Sequence, residues 1–158
     1  MSEFKEIRHI NLQDESLAGA MEKTLSAGAA FQFTAFGASM LPFIKNGDTL
    51  TLLPYKCKPK TGDVAAFVRR DIQKLVVHRI VGRHRGEYIF KGDNCSDLDG
   101  IINEKDILGY VVSVQRQKRD VTAFALSFSF CKAYISRAGL QSIYKVLIKI
   151  RQAFSSPK

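Results

Sequence analysis

The sequence predicts a mainly β fold with one helix before the sheet and one or two after it. Apolar, β-branched segments recur about every 8 to 15 residues, and no helical period lies between them from residue 31 to residue 114. The chain has 158 residues and a hydrophobic content of 46%, which is enough for one domain with a packed core. We therefore expect a single sheet domain with helices at its two ends.

The first predicted element is a helix that ends before residue 28. Asp14 or Ser16 can cap its N-terminus, and Gly28 suits its C-terminal end. Its apolar residues recur every four positions: Leu17, Met21 and Leu25. This spacing leaves one apolar face, so we expect the helix to pack on the sheet.

The strands predicted after the helix are residues 31–35, 49–53, 64–68, 74–81, 87–91 and 107–114. The third and fourth flank a short polar turn and should form a hairpin. After residue 120, the apolar segment 121–131 and a helical period within 140–150 predict one or two short amphipathic helices. We place a boundary after residue 118, so that residues 1–118 form the main domain and residues 119–158 a helical tail.

The net charge of +9 is concentrated towards that tail. Residues 115–158 contain nine Lys or Arg and one acidic residue, whereas residues 1–114 are close to neutral. A basic amphipathic tail can pack on the sheet with its cations in solvent, or it can lie on an anionic membrane surface. Both interpretations stay open for residues 119–158, and no nucleic-acid partner is expected.

The apolar segments and the cysteines indicate in which cellular compartment the protein lies. No apolar stretch resembles a signal peptide or reaches the roughly 20 residues of a membrane-spanning helix. The three cysteines, Cys57, Cys95 and Cys131, are scattered and lack metal-ligand spacing, which indicates a reducing compartment. We expect a cytoplasmic protein, peripheral on a membrane if the tail binds one, with no metal and no cofactor.

Ser39 and His78 are the candidate functional residues. Ser39 lies in the loop Gly37–Asp48, which has small residues before the serine and a Gly-Asp turn at its end. His78 interrupts the apolar strand Leu75–Val81. A serine hydroxyl becomes an effective nucleophile when a base such as histidine takes its proton. Taken singly, each residue is more simply explained as a turn serine or a core histidine.

Four motifs in order resemble those of the type I signal peptidases. They are Gly37-Ala-Ser-Met-x-Pro with Gly47-Asp48, then Gly62-Asp63-Val64, Val77-His-Arg-Ile-Val81 and Gly92-Asp93-Asn94. The chain is similar to the branch found in the endoplasmic reticulum, archaea and some sporulating bacteria. That branch has histidine where other bacterial members, and the related LexA-like autoproteases, have lysine. The likeness covers about residues 30 to 115.

The resemblance implies a twisted, partly closed antiparallel β-structure and a serine endopeptidase activity. Ser39 would be the nucleophile and His78 its base. The family's second carboxylate, six residues beyond the first, corresponds to Asp99, which we expect to orient His78. Asp93 is the other acidic residue of the predicted catalytic set, and it could instead hold its loop or bind Arg79.

The substrate implied by the resemblance is an extended peptide with small residues before the cut, laid against a sheet edge. Met40, Pro42 and Val76 are the predicted substrate-binding residues. The N–H of Ser39 would supply one oxyanion donor, and a second donor is needed. Family members usually have an N-terminal membrane anchor, and we expect none from residues 1–11, which contain no apolar segment.

Two alternatives to this peptidase remain. The first is a self-cleaving protease of the LexA kind, which would use Ala18-Gly19 or Ala27-Gly28 as its internal site. Against this alternative, the sequence shows no pattern of DNA-binding helices, and His78 stands where the LexA-like proteases have lysine. The second alternative is an inactive peptide-binding or membrane-adaptor module on the same fold.

Overall fold

The computed structural model describes residues 15–127 with the exception of Gln73. Strands make up 42% of the structure, far more than the helices do, so the fold is mainly β. The elements in chain order are helix α1 (Glu15–Ser26), strands β1 (Phe31–Thr34), β2 (Thr49–Leu53), β3 (Val64–Arg69), β4 (Lys74–His84), β5 (Glu87–Lys91) and β6 (Gly100–Ile102), a 3₁₀ helix (Glu104–Asp106), strands β7 (Ile107–Arg116) and β8 (Arg119–Asp120), and helix α2 (Thr122–Leu126).

The strands form one antiparallel sheet that curls into a half-barrel. Their order is β1-β2-β7-β3-β4-β5-β6, with β8 paired to β7. Strand β7 pairs with both β2 and β3, so it joins the first part of the sheet to the hairpin of β3 and β4. The curl does not close the sheet, because β1 and β6 each have a neighbour on one side only.

Two apolar clusters lie on opposite faces of the sheet. Strand β3 shows the division, since Ala66 belongs to the larger cluster and Ala65 and Phe67 to the smaller one. Helix α1 packs on β1, β4 and β7 and covers the larger cluster. It does so with the three apolar residues that the sequence pattern indicated: Leu17, Met21 and Leu25.

A buried ion pair holds the end of the Ser39 loop on the sheet. Asp48 accepts hydrogen bonds from Nε and Nη2 of Arg116, at 2.8 and 2.7 Å, and from the backbone N–H of Lys45 at 2.8 Å. Burial alone would raise the pKa of Asp48, but the hydrogen bonds and nearby positive charges outweigh it, and the pKa lies below its usual value. The loop is therefore joined to the end of β7.

Residues 119–127 pack on the sheet. Strand β8 pairs with the end of β7, and α2 buries Ala125 completely. The ring of Phe124 lies 5.3 Å from that of Phe43, and the carbonyls of Ala125 and Leu126 accept hydrogen bonds from Arg79. The tail predicted from residue 119 thus begins as part of the packed domain.

The sequence located the longer elements correctly. The β3–β4 hairpin has the expected pairing, from Val64 opposite Arg79 to Arg69 opposite Lys74. Strands β6 and β8 and the 3₁₀ helix were not predicted, because two or three residues carry no periodicity. The second predicted C-terminal helix lies outside the described residues. Within residues 15–127, no helix is long and apolar enough to cross a membrane.

Replacing Asp48 by Asn should lower the free energy of unfolding by about 2 kcal/mol at neutral pH. This is less than for a fully buried pair, because Arg116 keeps 26% of its side chain in solvent. Since the folded state lowers the pKa of Asp48, the advantage of the wild type is complete above about pH 4 and is lost as the pH falls through the lower folded-state pKa.

Urea unfolding of both proteins at pH 7 and at stepwise lower pH measures this difference. Asp71→Asn is the matched control, since Asp71 pairs with Arg69 on the exposed surface and should leave the midpoint unchanged. The ion-pair account is wrong if the wild type keeps its whole advantage in acid, or if the control loses as much stability.

A chain that ends at Gln117 should be less stable than one that ends at Ser127 by about 3 kcal/mol or more. Removing residues 118–127 exposes Phe43 and takes two carbonyl acceptors away from the buried Arg79. Urea unfolding of the two chains provides the measurement. Equal midpoints would mean that α2 contributes nothing to the domain.

Candidate active site

A groove of about 560 Å³ contains the candidate catalytic residues. One wall consists of the successive residues 35–40 and the other of residues 74–78. Phe33, Ile44 and Leu50 contribute apolar surface between the walls. Successive strand residues point to opposite faces, so a groove that contacts all of residues 74–78 must run along the edge of β4. Ser39 and His78 lie on the two walls.

The edge of β4 beside the groove is open. Strand β3 pairs with β4 over residues 74–79, whereas β5 pairs only with residues 79–84. Residues 74–78 therefore have a strand neighbour on one side alone. Strand β1, which delivers the chain to the opposite wall, is also an edge strand. An extended peptide could add to such an edge through backbone hydrogen bonds.

Asp99 holds the ring of His78. The Oδ2 atom of Asp99 lies 2.6 Å from Nδ1 of His78, and the two side chains are 13% and 10% exposed. An ionised carboxylate only accepts hydrogen bonds, so this contact favours the neutral ring tautomer that carries its proton on Nδ1 and leaves Nε2 as an acceptor. Asp99 reaches this position because its backbone N–H bonds the carbonyl of Phe90 in β5.

The loop that follows β5 is bound to the serine loop through the backbone. The N–H of Asn94 donates to the carbonyl of Ser39 at 2.7 Å, and Nδ2 of Asn94 donates to the carbonyl of Ala38 at 3.2 Å. The N–H of Asp93 lies 3.4 Å from Sδ of Met40. The segment that leads to Asp99 thus also positions Ser39.

Gly92 brings the two loops into close approach. A Cβ atom on Gly92 would stand 2.6 Å from Sγ of Cys95, 2.8 Å from the carbonyl oxygen of Ser39 and 3.0 Å from Nε2 of His78. No side chain fits at these distances. The free ring nitrogen of His78 and the backbone of Ser39 consequently lie within 3.0 Å of the same point.

Asp93 binds Arg79 and not the ring of His78. Nε and Nη2 of Arg79 donate to the two carboxylate oxygens of Asp93 at 2.9 and 2.8 Å, and both side chains are buried. The remaining N–H groups of Arg79 donate to the carbonyls of Gly62, Ala125 and Leu126. Of the two carboxylates in the predicted catalytic set, Asp99 therefore contacts His78, and Asp93 has the second role that the sequence left open.

Two of the three predicted substrate-binding residues line the groove. Met40 and Val76 line the groove, one on each wall. Pro42 is not among the residues that line it, and its role in substrate binding stays a prediction. The N–H groups of Phe43 and Ile44 both bond the carbonyl of Met40. This tight turn brings Met40 and Ile44 to the groove and keeps Pro42 out of it.

Several groove residues were missed by sequence reasoning. Phe36 and Ile72 are 52% and 54% exposed, and both line the groove. Three cations also line it: Lys45, Arg69 and Lys74. The hairpin prediction could have indicated that Arg69 and Lys74 face each other across two strands. No local pattern could have placed Lys45 and Phe36 at the same groove, because they lie in irregular chain.

No protein-family model matches the chain, and no curated protein is significantly similar to it. The resemblance to the signal peptidases therefore depends on the motifs in the sequence, and the family assignment is a proposal. The groove brings together Ser39, His78 and Asp99, which are separated by up to 60 positions in the sequence.

Asp99→Asn and Asp93→Asn should have different consequences. In Asp99→Asn, an amide can donate to Nδ1 and favour the wrong ring tautomer, so any peptidase activity should fall about a thousandfold or more while the melting temperature changes little. In Asp93→Asn, the buried guanidinium of Arg79 loses its counter-charge, which costs about 3–5 kcal/mol of folding stability. Thermal unfolding and peptide cleavage should be measured on both variants.

Asp97→Asn is the matched control, because Asp97 is exposed in the same loop and should leave activity unchanged. A larger catalytic loss in a fully stable Asp93→Asn protein would transfer the orienting role to Asp93.

Proposed function

We propose that this protein is a serine endopeptidase of the signal-peptidase type, in which Ser39 is the nucleophile, His78 the base and Asp99 the residue that orients it. The observation that carries the proposal is the 2.6 Å contact between Asp99 and Nδ1 of His78, in a groove that Ser39 also lines. A histidine that only packs in the core does not require a carboxylate partner at the edge of an open groove. A catalytic base does, because the carboxylate fixes the tautomer of its ring.

The chemistry follows acyl transfer. Nε2 of His78 takes the proton of Ser39 as the Ser39 oxygen attacks the carbonyl carbon of the peptide bond. The resulting oxyanion is stabilised by N–H donors, of which the backbone N–H of Ser39 is one. When the C–N bond breaks, His78 returns the proton to the leaving amine. Water, deprotonated by His78, then attacks the ester on Ser39. As the C–O bond to Ser39 breaks, His78 returns the proton to the Ser39 oxygen, and the carboxylic acid product leaves.

The proposal takes the oxygen of Ser39 as the nucleophile and not the nearby sulfur, because Ser39 lies in the motif that resembles those of the signal peptidases. Cys95 is the other nucleophilic side chain beside His78, and its Sγ lies 3.9 Å from the carbonyl oxygen of Ser39. Burial, and then the charge of Asp99, raise the pKa of this thiol, so little of the reactive thiolate forms at neutral pH.

The substrate would be an extended peptide that adds to the open edge of β4. Its backbone would pair with residues 74–78, and its side chains would alternate between the apolar floor and solvent. Met40 and Val76 would contact the residues near the cut. The proposed preference for small residues before the cut comes from the resemblance and not from the groove itself.

Self-cleavage finds less support in the structure. Ala18-Gly19 lies inside α1, where the chain is helical and not extended, and α1 is packed on the core. Ala27-Gly28 follows the end of the same helix. A peptide bond must be extended to pair with a sheet edge, so cleavage at Ala18-Gly19 would require α1 to unfold.

Contact with an anionic membrane remains a proposal for the tail. Of residues 119–158, the first nine pack on the sheet, and the basic residues from Lys132 onward lie outside the described range. We propose a cytoplasmic location with peripheral membrane binding. Co-sedimentation of the full chain with anionic and neutral vesicles tests the binding. The proposal fails if anionic vesicles do not retain the protein.

Ser39→Ala and His78→Ala should each abolish peptide cleavage without unfolding the domain. The double variant should lose no more activity than either single variant, because the two groups act as a unit. The assay incubates purified protein with a cell extract and with a library of extended peptides, and identifies new peptide ends by mass spectrometry.

Ser96→Ala and His84→Ala are the matched controls. Ser96 is an exposed serine in the loop before Asp99, and His84 is the other histidine of β4. Both variants should cleave as the wild type does. Cleavage that survives in Ser39→Ala would overturn the proposed mechanism. If no peptide is cleaved by the wild type, while Ser39→Ala and wild type bind peptides equally, the fold serves as a binding module.

A further inference from the structure

We infer that the groove selects peptides with an acidic side chain about four residues from the cut, which would pair with Lys74. This inference extends the proposed peptidase activity and depends on it for the position of the cut. The probe is an acidic peptide, and the recognising group is a cation that the proposed mechanism does not use.

The charge that lines the groove is unbalanced. Of the described residues, Lys45, Arg69 and Lys74 line it, together with a single carboxylate, that of Asp99. Asp99 is engaged with His78, and Arg69 is paired with Asp71 outside the groove. A concave surface with one sign of charge concentrates its field and attracts ligands of the opposite sign.

The ammonium groups of Lys45 and Lys74 form no salt bridge with a carboxylate among the described residues, although the charge of Lys45 acts on nearby Asp48. Elsewhere in the described chain, Arg79 and Arg116 each bind an aspartate with two hydrogen bonds. The contrast indicates that the groove lysines are available to a ligand.

Lys74 also stands opposite a like charge. It faces Arg69 directly across the β3–β4 hairpin. Like charges at directly opposite strand positions destabilise a hairpin. Arg69 relieves part of this repulsion by pairing with Asp71, at 2.6 Å. An acidic peptide side chain placed beside Lys74 would relieve the remainder, so binding would remove an unfavourable interaction of the free protein.

The position of Lys74 sets the distance from the cut. Lys74 lies four residues before His78 on β4, with both residues on the open edge. A strand advances about 3.3 Å per residue, so the two positions are about 13 Å apart. A peptide paired with this edge would therefore bring its fourth residue from the cut to Lys74, on the side that extends towards the β3–β4 turn.

A simpler role for Lys74 is to prevent edge-to-edge aggregation, which is a common use of lysine on open strands. That role requires no preference among peptides. Binding to an anionic lipid surface is a second alternative, because Phe36 and Ile72 are exposed beside the same cations. The experiment separates these roles from acidic-peptide recognition.

The test uses two sets of extended peptides, all with alanines before the cut. In the first set the fourth residue before the cut is Glu, Gln or Lys. In the second set the fourth residue after the cut is varied in the same way. Cleavage by the wild type gives kcat/KM, and binding to Ser39→Ala gives Kd. In one of the sets, Glu should be favoured over Lys about tenfold at low salt, and the preference should weaken as salt screens the exposed charges.

Lys74→Glu should reverse this preference, and it should not lower the melting temperature, because it replaces a repulsion with an attraction to Arg69. Lys58→Glu is the matched control, since Lys58 is exposed and does not line the groove. It carries the same change in net charge and should keep the wild-type preference.

The inference is wrong if the Glu and Lys peptides have equal kcat/KM and equal Kd in both sets. It is also wrong if Lys74→Glu and Lys58→Glu change the peptide preference equally. Loss of binding to anionic vesicles in Lys74→Glu, with an unchanged peptide preference, would assign the cation to a lipid surface instead. If Ser39→Ala binds peptides according to their charge and the wild type cleaves none of them, the proposed peptidase activity is wrong and the recognition of acidic peptides stands. If the wild type cleaves all the peptides equally well whatever their charge, the peptidase proposal stands and the inference about acidic peptides is wrong.

Discussion

The buried ion pair between Arg79 and Asp93 is the interaction on which the rest of the structure depends. A charge with no solvent contact must have its hydrogen bonds satisfied, and the partners of Arg79 come from three separate parts of the chain. They are the turn at Gly62, the loop after β5, and helix α2, which supplies two carbonyls. Moving any of these parts would leave the guanidinium incompletely bonded.

This constraint acts directly on the candidate site, because Arg79 follows His78 on β4 and Asp93 precedes Asn94 in the loop that bonds Ser39. Successive strand residues point to opposite faces, so the strand can bury its arginine while it turns its histidine towards the groove. One short stretch of β4 therefore anchors the domain on one face and supplies a base on the other.

The half-barrel leaves an edge open where a closed barrel would have none. Open edges are a hazard for soluble sheets, and here the open segment is the part of β4 between Lys74 and His78. The proposed peptidase would use the backbone groups of this edge to hold its substrate extended. The same opening exposes Phe36 and Ile72, whose apolar surface would otherwise be costly.

Sequence alone determined the helix α1, the longer strands and the β3–β4 hairpin, because these follow from local periodicity. The ordered motifs also singled out Ser39 and His78 as candidates, with Asp99 and Asp93 as the acidic residues beside them. The assignments from sequence were weakest where the chain is irregular. Pro42 was expected at the groove, and the turn that closes on Met40 keeps it away. Residues 119–127 looked like the start of a tail, yet α2 supplies carbonyls to Arg79.

Only the tertiary structure decided which carboxylate contacts His78, which cations share the groove, and where the sheet stays open. Asp93 and Asp99 are equally acidic in sequence, and the choice between them is made by a buried arginine that needs a counter-charge. Contacts between residues far apart in the chain are set by packing and by the satisfaction of buried charges. Such contacts leave no periodic trace in the order of the amino acids.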